Sequence, residues 1–229
     1  GYYTSYMAQH GLLGVVTSNG TPCVAPSGGT RAFFSNNPFA ISAPTRDGFV
    51  ELDLAMSVTS RARVTQAQQE GNAIPINWAL DTDGKPTTDP AAALQGSMQP
   101  FGGDRGFALL FALELLAGVL PGGANADQVA PKDVSDRPEG TSHFILGIAL
   151  DAVEADEAFV ERLEAMIDRM RQSPRVANGA PVRYPGERRW KTRQDRLDQG
   201  VPLPSTTVQA LVQVARDYGV APLQYKEHE

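Results

Sequence analysis

The 229-residue sequence has one cysteine, three histidines and two tryptophans, and that scarcity excludes several kinds of protein. Cys23 alone cannot build an internal disulfide framework; it fits a reducing compartment, and a cytoplasmic protein is expected. His10, His143 and His228 are scattered without the spacing of a metal-binding pair, so no metal site is expected. Basic residues are outnumbered, with 20 Lys and Arg against 26 Asp and Glu and a formal charge of −6. A nucleic-acid partner needs a basic face, so the charge argues against one. No signal peptide is expected, and the apolar stretch Phe107 to Leu120 is too short to span a bilayer and is interrupted by Glu114. Neither a P-loop signature nor the G-x-G-x-x-G of a Rossmann fold occurs.

What is present reads as a globular chain of mixed α/β class. The composition is 41% hydrophobic and 20% charged. A chain of this length buries roughly 70% of its unfolded surface without staples. "LLGVVTS" (12–18) reads as a buried strand. "PFAISAP" and "GFVELDL" are further strands separated by the turn "TRDG", and "SHFILGIAL" is another. "ARVTQAQQEG" predicts a polar helix stopped by Gly71. "DEAFVERLEAMIDRMRQS" predicts an amphipathic helix burying Phe159, Leu163, Met166, Ile167 and Met170. Two helices close the chain, with Ser205 as the N-cap and Gly219 as the C′ residue of the last. The apolar face of that helix is Val208, Leu211, Val212 and Ala215. The chain opens on "GYYTSYMAQHG", where Tyr2, Tyr3, Tyr6 and Met7 recur at helical spacing before Gly11. An opening inside an amphipathic helix predicts the continuation of something longer.

"PFGGDRGFALLFALELLAGVLPGG" (100–123) supports two readings. It is a core helix whose glycines allow close packing, or a helix whose orphaned N–H groups and dipole meet an anion. In the second reading Gly102, Gly103 and Gly106 admit the anion and Arg105 adds a charge-assisted bond. Asp53, in "LDLAMS", either caps a turn or bonds a ligand. "DTDGKP" lacks the later ligands of a calcium loop and reads as a turn.

Taken in order, "GYY…GLLGVVTSN…VAPSGGT…NNPFAISAP…LDLAMS…PFGGDRGFALLFALELLAGVL…SHFILGIAL…PGERR…GVPLP" resembles the malate/L-lactate dehydrogenase family that lacks a Rossmann fold. Its relatives include ureidoglycolate and sulfolactate dehydrogenases, diketogulonate reductase and piperideine/pyrroline-carboxylate reductases. The resemblance covers essentially the whole chain. It implies a non-Rossmann cofactor-binding domain over residues 1–180, a mixed sheet carrying helices. It further implies a C-terminal helical part over 181–229 that packs with an N-terminal segment. The implied chemistry is interconversion of 2-hydroxy and 2-oxo acids with NAD or NADP, by a homodimer. Reduction of cyclic imino acids is the alternative, and a non-catalytic remnant of the fold is another.

By the same resemblance, Leu52, Asp53, Leu54, Ala55, Met56 and Ser57 line the dinucleotide. Asp104 and Arg105 stand in the family's "GG-x-K-G" turn, with arginine replacing its cofactor-contacting lysine. Pro185, Gly186 and Glu187 match its "PGE" turn, another cofactor contact. Asn19 matches a "TNS" strand end and Asn37 a "TNP" turn. Arg61-Ala62-Arg63 is closer to the Arg-Gly-Lys of hydroxy-acid enzymes than to the His-Gly-Asp of imine reductases. The proton-donating histidine of the family sits in an N-terminal "SHG" motif, and none of the three histidines matches it. The catalytic acid is therefore expected on an N-terminal fragment of the same protein, and no catalytic residue is assigned here.

Overall fold

A computed structural model describes residues 1–131, 138–153 and 156–225. Four strands form the main sheet: β1 (Leu12–Ser18), β2 (Phe39–Thr45), β3 (Gly48–Leu54) and β6 (His143–Ala149), in the order β3-β2-β1-β6. The mixed α/β class holds. Every pairing in this sheet is antiparallel, however, which corrects the expectation of a mixed sheet. The reason is local for β2 and β3. Only Arg46 and Asp47 separate the paired Thr45 and Gly48, and a two-residue connection can join only antiparallel strands.

Helix α1 (Tyr2–Ala8) lies across β1 and β2 and buries Thr4, Ser5 and Ala8. Gly14 explains the small buried face. A Cβ there would sit 3.0 Å from Met7 Cβ and 3.1 Å from Thr4 Cα, so helix and strand touch backbone to backbone. The tyrosines that mark the helical spacing point the other way: Tyr2, Tyr3 and Tyr6 are exposed.

Helix α2 (Arg61–Glu70) starts on Ser60, whose side chain accepts from the Arg63 N–H. It stops at left-handed Gly71, as expected. Helix α3 (Pro90–Gln95) and the short strands β4 (Ala79–Leu80) and β5 (Ser97–Met98) follow α2 in the chain. Asp89 caps α3 by accepting from the Ala91 N–H at 2.9 Å. Asp81 Oδ1 accepts from the N–H groups of Asp83 and Lys85, so "DTDGKP" is a turn. No cluster able to hold a metal exists among the described residues.

The apolar helix α4 (Gly103–Glu114) runs through the core formed by Val24, Phe34, Met56, Val64, Met98 and Leu110. It ends in a π turn, Leu115–Val119, in which the Leu120 N–H reaches back five residues to Leu115 O at 2.8 Å. Helix α5 (Asp156–Arg171) buries Ile167 and half-buries Phe159, Leu163 and Met170. Met166 is 53% exposed, against expectation; it lies at the opposite edge of the apolar stripe from buried Ile167.

The chain divides into two compact units, Gly1–Gly186 and Glu187–Glu229. The second contains α6 (Glu187–Gln199) and α7 (Ser205–Asp217). Ser205 is the first helical residue and not the cap; Pro204 takes that place without a side-chain bond. Gly219 does close α7 in a left-handed conformation, with Val220 N–H donating to Ala215 O at 2.9 Å. On its apolar face Ala215 is buried, Val208 and Val212 are half-buried, and Leu211 is 43% exposed. Among the described residues no helix is long and apolar enough to cross a membrane.

Candidate functional site

The end of β3 meets the entrance of α4. Met56 joins them through its backbone. Its N–H donates to Asn36 O at 2.7 Å, and its carbonyl accepts from the Phe101 N–H at 2.8 Å. Val58 N–H donates to Gln99 O at 2.9 Å, and Ser57 bridges to Pro100. Leu52–Ser57 and the Gly102–Gly106 turn are thus brought side by side, two stretches far apart in sequence. The side chains divide within that segment. Leu52, Asp53, Leu54 and Ala55 are half-buried, whereas Met56 and Ser57 face the interior. Met56 belongs to the core, and Ser57 Oγ donates to Thr59 O at 2.7 Å.

At the α4 entrance Gly102 and Gly103 both have positive φ, 66° and 59°, which favours glycine. A Cβ on Gly103 would meet nothing within 4 Å, so this turn faces open space. Asp104 lies in the first turn, where the helix dipole favours a carboxylate, and accepts a bond from Ser27 Oγ. Arg105 is exposed in the same turn and has no ion pair or side-chain hydrogen bond among the described residues. A cation there is opposed by the dipole by roughly 0.3–1 kcal/mol.

Pro185 and Gly186 lie along β3. Glu51 N–H donates to Pro185 O at 3.1 Å. Gly186 has φ 93°, and a Cβ on it would come within 2.7 Å of Glu51 O. Glycine is therefore required twice over, by the backbone angle and by the close approach to the strand. Glu187 is the first residue of α6 and belongs to the second unit. Asp53 lies 3.2 Å from the Gly1 amine.

Asn19 follows β1 and Asn37 precedes β2. Both are buried, and their amides turn inward to Glu114. Asn37 Nδ2 donates to Glu114 Oε2 at 2.7 Å, and Asn19 Nδ2 makes a longer 3.5 Å contact to Oε1 and a 2.8 Å bond to Ala124 O. Both amides are engaged in bonds within the protein. Glu114 is the residue that the motifs do not single out. Its only mark in the sequence is one carboxylate inside an apolar run.

Cys23 is half-buried, and burial pushes its thiol up; Arg61 and the Asn36 backbone pull partly the other way. A thiol held toward its neutral form is a poor nucleophile. Arg61 Nη2 donates to Leu94 O at 2.9 Å, at the end of α3, while Arg63 lines an open groove with Ala67, Ile74 and Trp78. His143 lies on β6, the sheet edge opposite β3, and His10 is engaged with Tyr6 O at 2.8 Å. His228 lies outside the described residues.

Comparison with known proteins gives a consistent result. Residues 1–212 match the malate/L-lactate dehydrogenase family. The chain is 34% identical to L-sulfolactate dehydrogenase of Methanothermobacter thermautotrophicus over 230 residues, covering 99% of the chain and 64% of that protein. It is 37% identical to Delta(1)-pyrroline-2-carboxylate reductase 1 of Burkholderia ambifaria over 204 residues, covering 86% of the chain and 57% of that protein. Sulfolactate dehydrogenase from Methanocaldococcus jannaschii superposes with a TM-score of 0.84 at 27% identity, covering 96% of the chain and 63% of that structure. The chain thus spans a little under two thirds of the length of these relatives. With its sequence matched from Gly1 into its last helix, the chain belongs to the malate/L-lactate dehydrogenase family.

Proposed function

We propose that this chain carries the cofactor-facing part of an NAD(P)-dependent oxidoreductase that interconverts 2-hydroxy and 2-oxo acids. The observation that carries the reading is Arg105. It stands exposed and unpartnered in a helix turn whose dipole opposes it, beside two left-handed glycines that face open space. An anion at this turn relieves the mismatch, bonded by the free N–H groups and by the guanidinium. The donor set fits the pyrophosphate of a nicotinamide dinucleotide. Leu52–Ala55 and the Pro185–Gly186 turn supply flanking surface along β3.

When bound, the nicotinamide supplies hydride transfer; the chain's own contribution is to hold and orient it. Asp104, fixed by Ser27, keeps the first turn of α4 in place. Met56, bonded on both sides, fixes the strand end against that turn. The proton donor is proposed to lie in the part of the relatives' length that this chain does not span. That part also covers the α7 face around Leu211, and the enzyme works as a homodimer. Exposed Ile145, Leu146 and Ile148 on β6, and Phe111, Leu115 and Leu120 on α4 and its π turn, are surface of the kind a partner covers. A second reading, reduction of cyclic imino acids, is favoured by the 37% identity to the pyrroline-carboxylate reductase.

The test is a fluorescence titration of the full-length protein with NADH and NADPH. Arg105→Met should weaken binding by about 1.5–3 kcal/mol, roughly ten- to a hundredfold, the range for a charge-assisted bond. Equal affinity would refute the placement. Turnover assays with malate, lactate and sulfolactate against cyclic imines then separate the two substrate readings, and a protein that binds cofactor but turns over neither is the non-catalytic remnant.

A further inference from the structure

Glu114 is 4% exposed and has no cationic partner among the described residues. Three donors from three segments converge on its carboxylate: Asn37 Nδ2 at 2.7 Å, the Ala126 N–H at 2.7 Å and Asn19 Nδ2 at 3.5 Å. Two of those donors belong to strained residues. Asn37 has φ 28° and Ala126 has φ 48°, and only Asn178 joins them as a non-glycine residue with positive φ among the described residues. Such conformations persist where the surroundings over-determine them. Here the common surrounding is one carboxylate.

The position of Glu114 gives this a second consequence. It ends the α segment of α4 and opens the π turn. Single π turns of this kind occur often at functional sites. Asn37, held by Glu114, follows Asn36, whose carbonyl accepts the Met56 N–H. The Met56 carbonyl in turn accepts the Phe101 N–H at the entrance of α4. The chain of contacts therefore closes on the helix from which it began.

We propose that Glu114 is a positioning residue for the cofactor-facing surface. By holding the strained Asn37 and Ala126 turns, it fixes the Asn36 carbonyl, and through it the Leu52–Ser57 segment against the Gly102–Gly106 turn. The inference rests on the reading of that surface as a dinucleotide site, although the clamp itself is independent of what binds.

Glu114→Gln in the full-length protein keeps the shape and exchanges one acceptor for a donor, which then faces either Asn37 Nδ2 or the Ala126 N–H. Asn37→Gly, a second variant, removes the amide while accommodating the positive φ. Hydrogen exchange is followed at the amides of Met56, Phe101 and Ala126, beside titrations with NADH and NADPH. Faster exchange at Met56 and Phe101 in both variants, with dinucleotide affinity at least tenfold weaker in a cooperatively melting protein, is the expected result. Ala126 should stay protected in Asn37→Gly, where its acceptor Glu114 Oε1 is untouched. Unchanged exchange at Met56 and Phe101 in a folded variant overturns the clamp. Faster exchange with unchanged affinity overturns the positioning role. If the parent protein binds neither dinucleotide, the nicotinamide reading fails by itself, and the exchange measurements still decide the clamp.

Discussion

Adding one methyl group at Gly118 should destabilise the protein, although helix propensity says the reverse. Gly118 lies in the π turn with ordinary right-handed backbone angles, and at such a site Gly→Ala normally gains about 0.8–1 kcal/mol. The structure leaves no room for that methyl. Its Cβ would overlap Glu114 Oε1 and come 3.0 Å from Asn125 Cβ and 3.1 Å from Asn19 Nδ2. None of these is the loose end of a flexible chain, because all three segments are tied together by Glu114 and Asn19. Overpacking of this kind costs roughly 1–3 kcal/mol. Displacing the carboxylate would leave the Ala126 N–H unpaired and add about 1–3 kcal/mol. Against a propensity gain of about 1 kcal/mol, the net loss is roughly 1–5 kcal/mol, centred near 3. For a chain of this size, that lowers the melting temperature by about 6–12 °C. Thermal and urea melts of Gly118→Ala followed by circular dichroism measure it. Combining Gly118→Ala with Glu114→Ala opens space for the methyl, so the double mutant should lose less than the sum of the singles. A melting temperature at or above the parent's would refute the packing argument, and additive effects would show that the methyl strikes something other than Glu114.

Two further outcomes follow from burial. Ile167→Ala should cost about 2–5 kcal/mol, while Met166→Ala, one position along α5 and exposed, should stay within about 0.5 kcal/mol of the parent in the same melts. Cys23 should react with iodoacetamide far more slowly at pH 8 in the native protein than in urea, since burial raises its pKa above the ordinary thiol value. The sign in stability is that of a raised acid. The neutral thiol contributes its full stability below the unfolded pKa, and that contribution fades as pH climbs through the higher native value. Native alkylation as fast as in urea would contradict the burial.

The strands were legible because their signals are short-range. "LLGVVTS" and "GFVELDL" become β1 and β3 without a shift of boundary, and the Arg46-Asp47 turn forces their neighbour antiparallel. What escaped depended on partners remote in the chain. The aromatic stripe of α1 looks like a buried face until Gly14, on another element, brings the helix so close that only Thr4, Ser5 and Ala8 fit. Strands β4 and β5 are two residues each, too short for any periodicity. Asn19 and Asn37 carry family motifs, but a motif does not tell which way an amide points. That is decided by Glu114, 95 and 77 residues away. The convergence of Leu52–Ser57 on the glycine turn is likewise made by backbone bonds, which leave no trace in side-chain identity.

Helix α4 is fastened near both ends to the same neighbourhood, by Phe101 to Met56 before it begins and by Glu114 to Asn37 as it ends. Twelve residues at 1.5 Å each make a strut of about 18 Å whose span is set by peptide geometry and not by side-chain choice. Evolution acting on this scaffold is therefore offered an unequal choice. Drift in the strut or its fastenings disturbs the whole surface at once, whereas exposed positions beside it, Arg105 at its mouth and Arg63 along α2, can be exchanged one at a time. New ligand preferences should then accumulate at such outward-facing side chains over an unchanged frame, which is how one architecture can come to serve both hydroxy acids and cyclic imines.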